Sequence, residues 1–307
     1  MQISELAIRI GLFYGFIIFG YVLAHFFEKG EDVNTIVTKV LVNILVPLLV
    51  LYALLTASPA SLVELPAIIT LAILIHISGP VALFILLGRS NIASEKKGTL
   101  FLCSTFNNAL FIPLPIVLMF LGPIGVPIIV VFSLIQMILM VSLGSFIGST
   151  YGGADTNWRE RAVKALTFPP LLAAVLAGLL LLVGFALPEP ITPLLSCSGD
   201  ITTYLALLSV GLSFGTKFSI ANLRDALHVV LIRQVIVPLI AAPFVFFMTL
   251  SAVTSQVILL ESIMPAAVLN VVYAGAFGLD VETAATIVTL GTILLLPIIP
   301  ILPLFMG

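Results

Sequence analysis

Two asparagines and two prolines interrupt an apolar segment between residues 98 and 121. The amides of Asn107 and Asn108 can donate to a carboxylate or accept from a hydroxyl group. Pro113 and Pro115 lack the backbone N–H that a continuous helix needs, and each would clash with the preceding turn. Inside a bilayer, broken backbone is tolerated only where protein or a water-filled cavity satisfies its polar groups. The sequence therefore predicts a broken helix beside a binding site.

A second interruption lies near Pro265, in an apolar segment between residues 255 and 277. At helical rise, Asn108 and Pro265 each lie roughly 15 Å into their segments, so the two interruptions should meet near the bilayer midplane. Helices that restart there, with Pro115 and Pro265 in their first turns, present unpaired N–H groups and a partial positive charge that favour an anion. The predicted substrate-binding residues are Asn107, Asn108, Ile112, Pro113, Pro115, Pro265, Ala266 and Asn270.

Ionisable side chains within apolar segments are candidates for ion coupling, because a charge in a membrane is costly. Glu261 lies one turn before Pro265 and can take up a proton or Na+, or serve as a protonated or amide-paired structural acid. His76 can titrate near neutral pH or hydrogen-bond between helices, and Asp200 can lie in an interfacial vestibule. Arg233 is expected to snorkel toward the cytoplasm or to pair with an acid. No cofactor is predicted apart from Na+ or H+ as a coupling ion.

The composition places these residues in a membrane protein. Of 307 residues, 61% are hydrophobic and 8% are charged, whereas a soluble domain has about 25% charged residues. A net charge of −2 gives no reason to expect a nucleic-acid partner. The sequence contains no Walker loop, metal-ligand pair or nucleophile–base set, so neither an enzyme nor an ATP-driven pump is expected. No positively charged leader precedes the first apolar run, so residues 6–27 are expected to be a retained span.

Hydropathy predicts an all-α membrane protein with ten spans, at 6–27, 34–57, 65–87, 98–121, 125–149, 162–186, 190–216, 225–248, 255–277 and 281–305. Lys and Arg concentrate in the odd-numbered connectors and their helix edges, and the even-numbered connectors contain neither. The odd-side residues are Lys29, Lys39, Arg89, Lys96, Lys97, Arg159, Arg161, Lys164, Lys217 and Arg224. This asymmetry places the odd connectors in the cytoplasm and both termini outside the cell. We therefore expect a multi-pass protein of the cell (inner) membrane.

The ten spans divide into two halves of opposite orientation, because each half has an odd number of spans. The division falls in the hydrophilic connector at 151–159, which gives one five-helix repeat at 1–151 and a second, inverted repeat at 152–307. Spans four and nine, which carry the interruptions, occupy matching positions in the two repeats. Interrupted segments at matching positions are the best sequence indicator of a transporter's substrate site.

Several of these segments together resemble the auxin efflux carrier family, which includes plant PIN carriers and bacterial malonate-type transporters. The similar segments lie in both halves, at 43–47, 107–122, 205–213, 264–267, 273–280 and 286–297. The short central connector differs from the long hydrophilic loop of the long plant carriers. The chain is therefore more similar to a prokaryotic member of the family.

This resemblance implies a secondary active or facilitative transporter that moves small organic anions by alternating access, in the direction of export. Spans one, two, six and seven would form a scaffold, which is often a homodimer. Spans three to five and eight to ten would form a moving transport unit, in which spans four and nine cross at their prolines.

Three alternatives stay open at the level of the sequence. The bile acid:sodium symporters have a similar architecture, and Glu261 is similar to their sodium-binding acidic position, so coupling to Na+, to H+ or to neither is compatible with the sequence. A cation/proton antiporter shares the crossed-helix plan but normally has more carboxylates there. A channel, the alternative of a different class, would need continuous pore-lining polarity, which the sequence lacks.

Overall fold

The computed structural model describes residues 3–26, 30–57, 63–87, 92–153, 163, 166–214 and 218–302. Within these ranges the secondary structure is helical, apart from a single isolated β-bridge. The α-helices are α1 (Ile3–Phe26), α2 (Gly30–Val40), α3 (Val46–Leu55), α4 (Leu65–Leu87), α5 (Ser94–Thr105), α6 (Pro113–Phe120), α7 (Val126–Leu139), α8 (Ser145–Tyr151), α9 (Pro169–Leu182), α10 (Thr192–Leu212), α11 (Leu223–Leu231), α12 (Val237–Phe247), α13 (Ala252–Ser262), α14 (Leu269–Phe277) and α15 (Val281–Leu295). The prediction of an all-α membrane protein is confirmed at this level.

Short π-helical turns join three of these helix pairs into continuous rods. They lie at Leu41–Leu45 between α2 and α3, at Met140–Gly144 between α7 and α8, and at Ile232–Ile236 between α11 and α12. Pro47 and Pro238 each follow one of these turns directly, as the second residue of the next α-helix. Because proline cannot donate to the carbonyl one turn earlier, a wider turn before it accommodates the ring. These two prolines therefore bend helices without ending them.

Seven helical segments in the described residues are long and apolar enough to cross a membrane. They coincide with predicted spans one, two, three, five, seven, eight and ten, and a shorter apolar helix, α9, lies within predicted span six. Span six was predicted at 162–186, but α9 begins at the Pro169-Pro170 pair, because proline suits the first turn of a helix. Predicted spans four and nine each contain two shorter helices. The ten-span topology with its inverted repeats stays a prediction.

The helices pack in two groups. In the first group, α1 lies along α10, and α3 packs against both α9 and α10. Glycine permits the close approach of α1 and α10, since a Cβ at Gly211 would lie 2.0 Å from the carbonyl oxygen of Ile17. In the second group, α4 packs against α5, α7 and α12, while α15 packs against α5, α11 and α14. The division into a scaffold and a moving transport unit, which the resemblance implied, stays a prediction.

A carboxylate joins the residues before α4 to the start of α13. One oxygen of Glu64 accepts a hydrogen bond from the backbone N–H of Ser251 at 2.6 Å. The other oxygen accepts from the Ser251 hydroxyl at 3.0 Å and from the Thr254 hydroxyl. Partial burial raises the pKa of Glu64, but these hydrogen bonds outweigh it and hold the pKa below its usual value of 4.5. The contact therefore favours the ionised carboxylate.

We expect this contact to make a small, pH-dependent contribution to stability. Because the pKa of Glu64 is lower in the folded protein, its contribution is present above pH 4.5 and is lost as the pH falls through the folded-state pKa. Glu64 is partly exposed to solvent, so its replacement by Gln should cost less than about 1 kcal/mol. Melting temperatures of the wild type and Glu64→Gln should differ at pH 7 and converge as the pH falls below the folded-state pKa. A constant difference over this range would contradict the assignment.

Candidate functional site

Two irregular segments pair with each other between consecutive short helices. One joins α5 to α6 and the other joins α13 to α14, and an antiparallel bridge links Asn107 to Ala266. The N–H of Ala267 donates to the carbonyl of Phe106 at 2.9 Å, and the N–H of Asn108 donates to the carbonyl of Pro265 at 2.7 Å. Backbone groups that two helices leave unpaired are thus satisfied by each other, as a membrane interior requires. We call this paired region the crossing.

The side chain of Asn107 fastens the crossing to the last turn of α13. Its amide nitrogen donates to the carbonyl oxygen of Glu261 at 3.1 Å and to the carboxylate oxygen Oε2 at 2.9 Å. Both residues are fully buried. Because the amide must donate to two oxygens of one residue, its orientation is fixed, and its own oxygen has no partner among the described residues.

Asn108 and Asn270 stabilise the backbone on either side of the bridge. The side-chain oxygen of Asn108 accepts from the N–H groups of Phe111 at 3.0 Å and Ile112 at 3.4 Å, in the turn that leads into α6. The amide of Asn270 donates to the carbonyl of Phe106 at 2.9 Å. Asn270 is fully buried, whereas Asn108 retains 4% exposure.

The prolines have different positions relative to the restarted helices. Pro113 is the first residue of α6, and Pro115 lies within its first turn, as predicted for Pro115. The prediction that Pro265 lies in the first turn of a helix is wrong, since α14 begins at Leu269. Pro265 lies in the irregular segment because its carbonyl accepts from Asn108, a contact that an immediate helix start would disrupt.

A cavity of about 400 Å³ lies against one side of the crossing. Its wall includes the segments that lead into α6 (109–111) and into the start of α14 (267–269). Side chains of α2, α3, α7, α9 and α10 complete the wall, so the cavity lies between the two helix groups. This size is within the range of small-molecule sites.

Two of the eight predicted substrate-binding residues, Asn107 and Asn108, line this cavity. The other six do not belong to the described lining residues and pack in or behind the crossing. They are Ile112, Pro113, Pro115, Pro265, Ala266 and Asn270. A binding role for all eight stays a prediction. The structure brings them together, because the two segments that contain them pair.

The wall opposite the crossing contains polar residues that the sequence did not indicate as a site. The amide of Asn34 on α2 donates to the hydroxyl of Ser213 at 3.1 Å and accepts from the hydroxyl of Ser209 on α10 at 3.0 Å. Among the described lining residues Lys39 alone carries a charge. In the sequence Lys39 contributed only to the charge asymmetry between connectors, because nothing local places it near the distant crossing.

The predicted ion-coupling residues lie in different environments. His76 on α4 is fully buried, and its Nε2 lies 2.8 Å from the side-chain oxygen of Gln136, which lines the cavity. Asp200 is exposed on α10 and does not belong to the cavity wall. Glu261 is fully buried at the crossing. A coupling role for these three residues stays a prediction.

Arg233 is also fully buried, which overturns the expectation that it snorkels toward the cytoplasm. It belongs to the π turn between α11 and α12, and its Nη1 donates to the carbonyl of Ser104 at 3.4 Å. Arg233 lies close enough to Glu261 for their charges to interact. The expectation that it pairs with an acid stays a prediction, since neither an ion pair nor a direct hydrogen bond joins the two in the described structure.

Comparison with known proteins gives a consistent result. A family model described as "Membrane transport protein" matches residues 13–161 and 158–303. A protein named an uncharacterized transporter, from Methanothermobacter thermautotrophicus, is 26% identical over 280 residues, which are 91% of each chain. Another uncharacterized transporter, from Methanocaldococcus jannaschii, is 27% identical over 202 residues, or 64% of this chain and 65% of that protein.

A plant protein shows a shorter match. Auxin efflux carrier component 8 of Arabidopsis thaliana is 25% identical over 142 residues, which are 46% of this chain and 39% of that protein. This match agrees with the resemblance seen in the motifs. Because the family model covers nearly all residues, the chain belongs to the membrane transport protein family, as a relative of the auxin efflux carriers of prokaryotic type.

Proposed function

We propose that this membrane transporter carries small organic anions, and that the anion binds in the cavity between Asn108 and Lys39. The observation that carries the proposal is the composition of the cavity wall. One wall of the cavity contains the segments that lead into the N-termini of α6 and α14. The opposite wall contains Lys39. Helix N-termini and a lysine all favour negative charge. The apolar side chains that make up most of the wall suit the carbon skeleton of an organic acid.

The predicted orientation indicates the side of the membrane from which the cavity would take up its anion. Lys39 belongs to the odd-numbered connectors and helix edges, which the charge asymmetry assigns to the cytoplasm. With both termini outside the cell membrane, the cavity would take up its anion from the cytoplasm. This arrangement supports export, and the name of the plant relative, an efflux carrier, agrees with it.

The position of the cavity supports alternating access. Residues of α2, α3 and α10 form one wall, and the crossing together with α7 forms the other. If the α4–α8 and α11–α15 group moves against the first group, it carries the crossing and the bound anion with it. The first group would then be the scaffold, and a second copy of the chain would bind to it in a homodimer. The two five-helix repeats would each contribute one broken helix to the moving group.

Uptake by purified protein in proteoliposomes tests this proposal. A panel of small mono- and dicarboxylates should first be screened for thermal stabilisation of the protein. At least one stabilising carboxylate should then show saturable uptake that empty liposomes lack. Saturation distinguishes a carrier from a channel. If none of the carboxylates were transported while organic cations were, the proposal would be wrong.

Replacing Lys39 by Gln should weaken anion uptake without affecting folding. The side chain is exposed at the cavity wall, so its charge should contribute about 1 kcal/mol, which corresponds to a roughly 5-fold higher KM. Lys39→Arg, the matched control, keeps the charge and should keep the KM of the wild type. The difference between the variants should shrink at high salt. An unchanged KM for Lys39→Gln would remove Lys39 from the site.

A further inference from the structure

The crossing has a second side, where the first helix of each pair ends. The last turn of α5 contains Ser104, and the last turn of α13 contains Glu261. Helix C-termini carry partial negative charge, and here a carboxylate adds to it. This side of the crossing is therefore an environment for a cation, opposite in sign to the side where α6 and α14 begin.

Arg233 places a positive charge in this environment. Its Nη1 donates to the carbonyl of Ser104, and Glu261 lies close enough for the two charges to interact. The remaining guanidinium nitrogens, Nε and Nη2, are buried without a partner in the described structure. So are the Oε1 atom of Glu261 and the side-chain oxygens of Asn107 and Asn270. Two donors and three acceptors thus lie buried in one region, and a buried polar atom without a partner is costly unless the charges around it balance.

The packing of α4 keeps this region closed. A Cβ at Gly79 would lie 1.9 Å from the carbonyl oxygen of Ser104 and 3.7 Å from Nη1 of Arg233. Glycine is therefore required for α4 to reach the end of α5 beside the guanidinium. Arg233 itself retains 0% exposure, so its charge cannot be neutralised by solvent. The negative partners that can balance it are the helix ends and Glu261.

We propose that Arg233 is a resident cation of the crossing, which balances Glu261 and the two helix C-termini so that no sodium ion is needed there. Arg233 is a positioning residue in this proposal, because it acts on the site through Glu261 and Asn107. The inference deepens the proposed function, since it concerns the coupling of the same crossing. It replaces the sequence-based hypothesis that Glu261 binds a driving Na+ with a fixed internal charge.

Heat stability in detergent tests the inference without any transported substrate, so its result does not depend on whether the organic-anion proposal holds. The melting temperature of the wild type should be equal in sodium chloride and N-methylglucamine chloride. Arg233→Gln leaves Glu261 unbalanced, and Na+ should now raise its melting temperature by about 2–4 °C. Arg233→Lys restores the charge and should lose this response. A Na+-specific rise in the wild type, or an Arg233→Gln variant indifferent to Na+, would overturn the inference.

A comparison of Glu261→Gln with the double variant keeps the test decisive if Arg233→Gln alone is too unstable to purify. Glu261→Gln removes the negative partner and should destabilise the protein by leaving Arg233 unbalanced. Combining both substitutions removes both charges, so the double variant should melt at a higher temperature than Glu261→Gln, again without a response to Na+. A double variant that melts below Glu261→Gln would show that the two charges do not compensate each other.

Discussion

Asn108→Asp should abolish anion transport while leaving the protein folded. The substituted carboxylate keeps an oxygen that can accept from Phe111 and Ile112, so the turn before α6 survives. It also puts a negative charge on the cavity wall, where we place the anion. Like charges in contact cost several kcal/mol, so transport should fall by at least about 100-fold. Uptake in proteoliposomes and the melting temperature measure the two effects separately.

Two further variants separate substrate contact from support of the backbone. Asn108→Ser keeps a hydroxyl oxygen that can accept from the backbone of this turn but loses the amide N–H groups. Asn108→Ala loses both the acceptor and the amide, and loss of such a hydrogen bond costs about 1 kcal/mol. If Asn108 contacts the anion, Ser and Ala should be similarly impaired in uptake, although only Ala is destabilised. If the loss of uptake instead parallels the loss of stability across the three variants of Asn108, the residue only stabilises the backbone. The proposed binding role would then be wrong.

The sequence located the crossing because its signals are local. Amides and prolines in an apolar segment indicate a broken helix wherever they occur, and matching positions in two halves indicate that the breaks belong together. The sequence could not distinguish Asn107 from Asn108, because their side chains diverge according to the backbone conformation of the irregular segment. Asn107 donates to Glu261, and Asn108 accepts from the backbone N–H of Phe111 before α6. Only the pairing with the second segment fixes that conformation.

The cavity wall opposite the crossing could not be predicted, for a different reason. Asn34 and Ser209 are 175 residues apart and share a hydrogen bond only because α2 and α10 pack together. Neither residue stands out in its own segment. The burial of Arg233 could not be predicted either, because it also depends on contacts between distant helices. Snorkelling is the usual arrangement for an arginine in a span. Here the close packing of α4 at Gly79 encloses the guanidinium instead.

Exchanging the amide of Asn107 with the carboxylate of Glu261 should largely preserve the stability of the protein. Replacing Asn107 alone should not. Asn107→Asp alone removes the donor to Glu261 and puts a second carboxylate against the first, with both side chains fully buried. Breaking a buried charged contact typically costs 3 kcal/mol or more, roughly 6 °C or more in melting temperature. Impaired expression is an expected sign of this loss.

Adding Glu261→Gln to Asn107→Asp restores one amide and one carboxylate, with the donor and acceptor exchanged. One negative charge remains close to Arg233, and the two side chains can again share a hydrogen bond. The double variant should therefore recover most of the melting temperature that Asn107→Asp loses, as an interaction energy in a double-mutant cycle. The donor to the Glu261 backbone carbonyl is not restored, which makes recovery incomplete. If the double variant were less stable than Asn107→Asp, the hydrogen bond between these side chains would not be what holds the two irregular segments together.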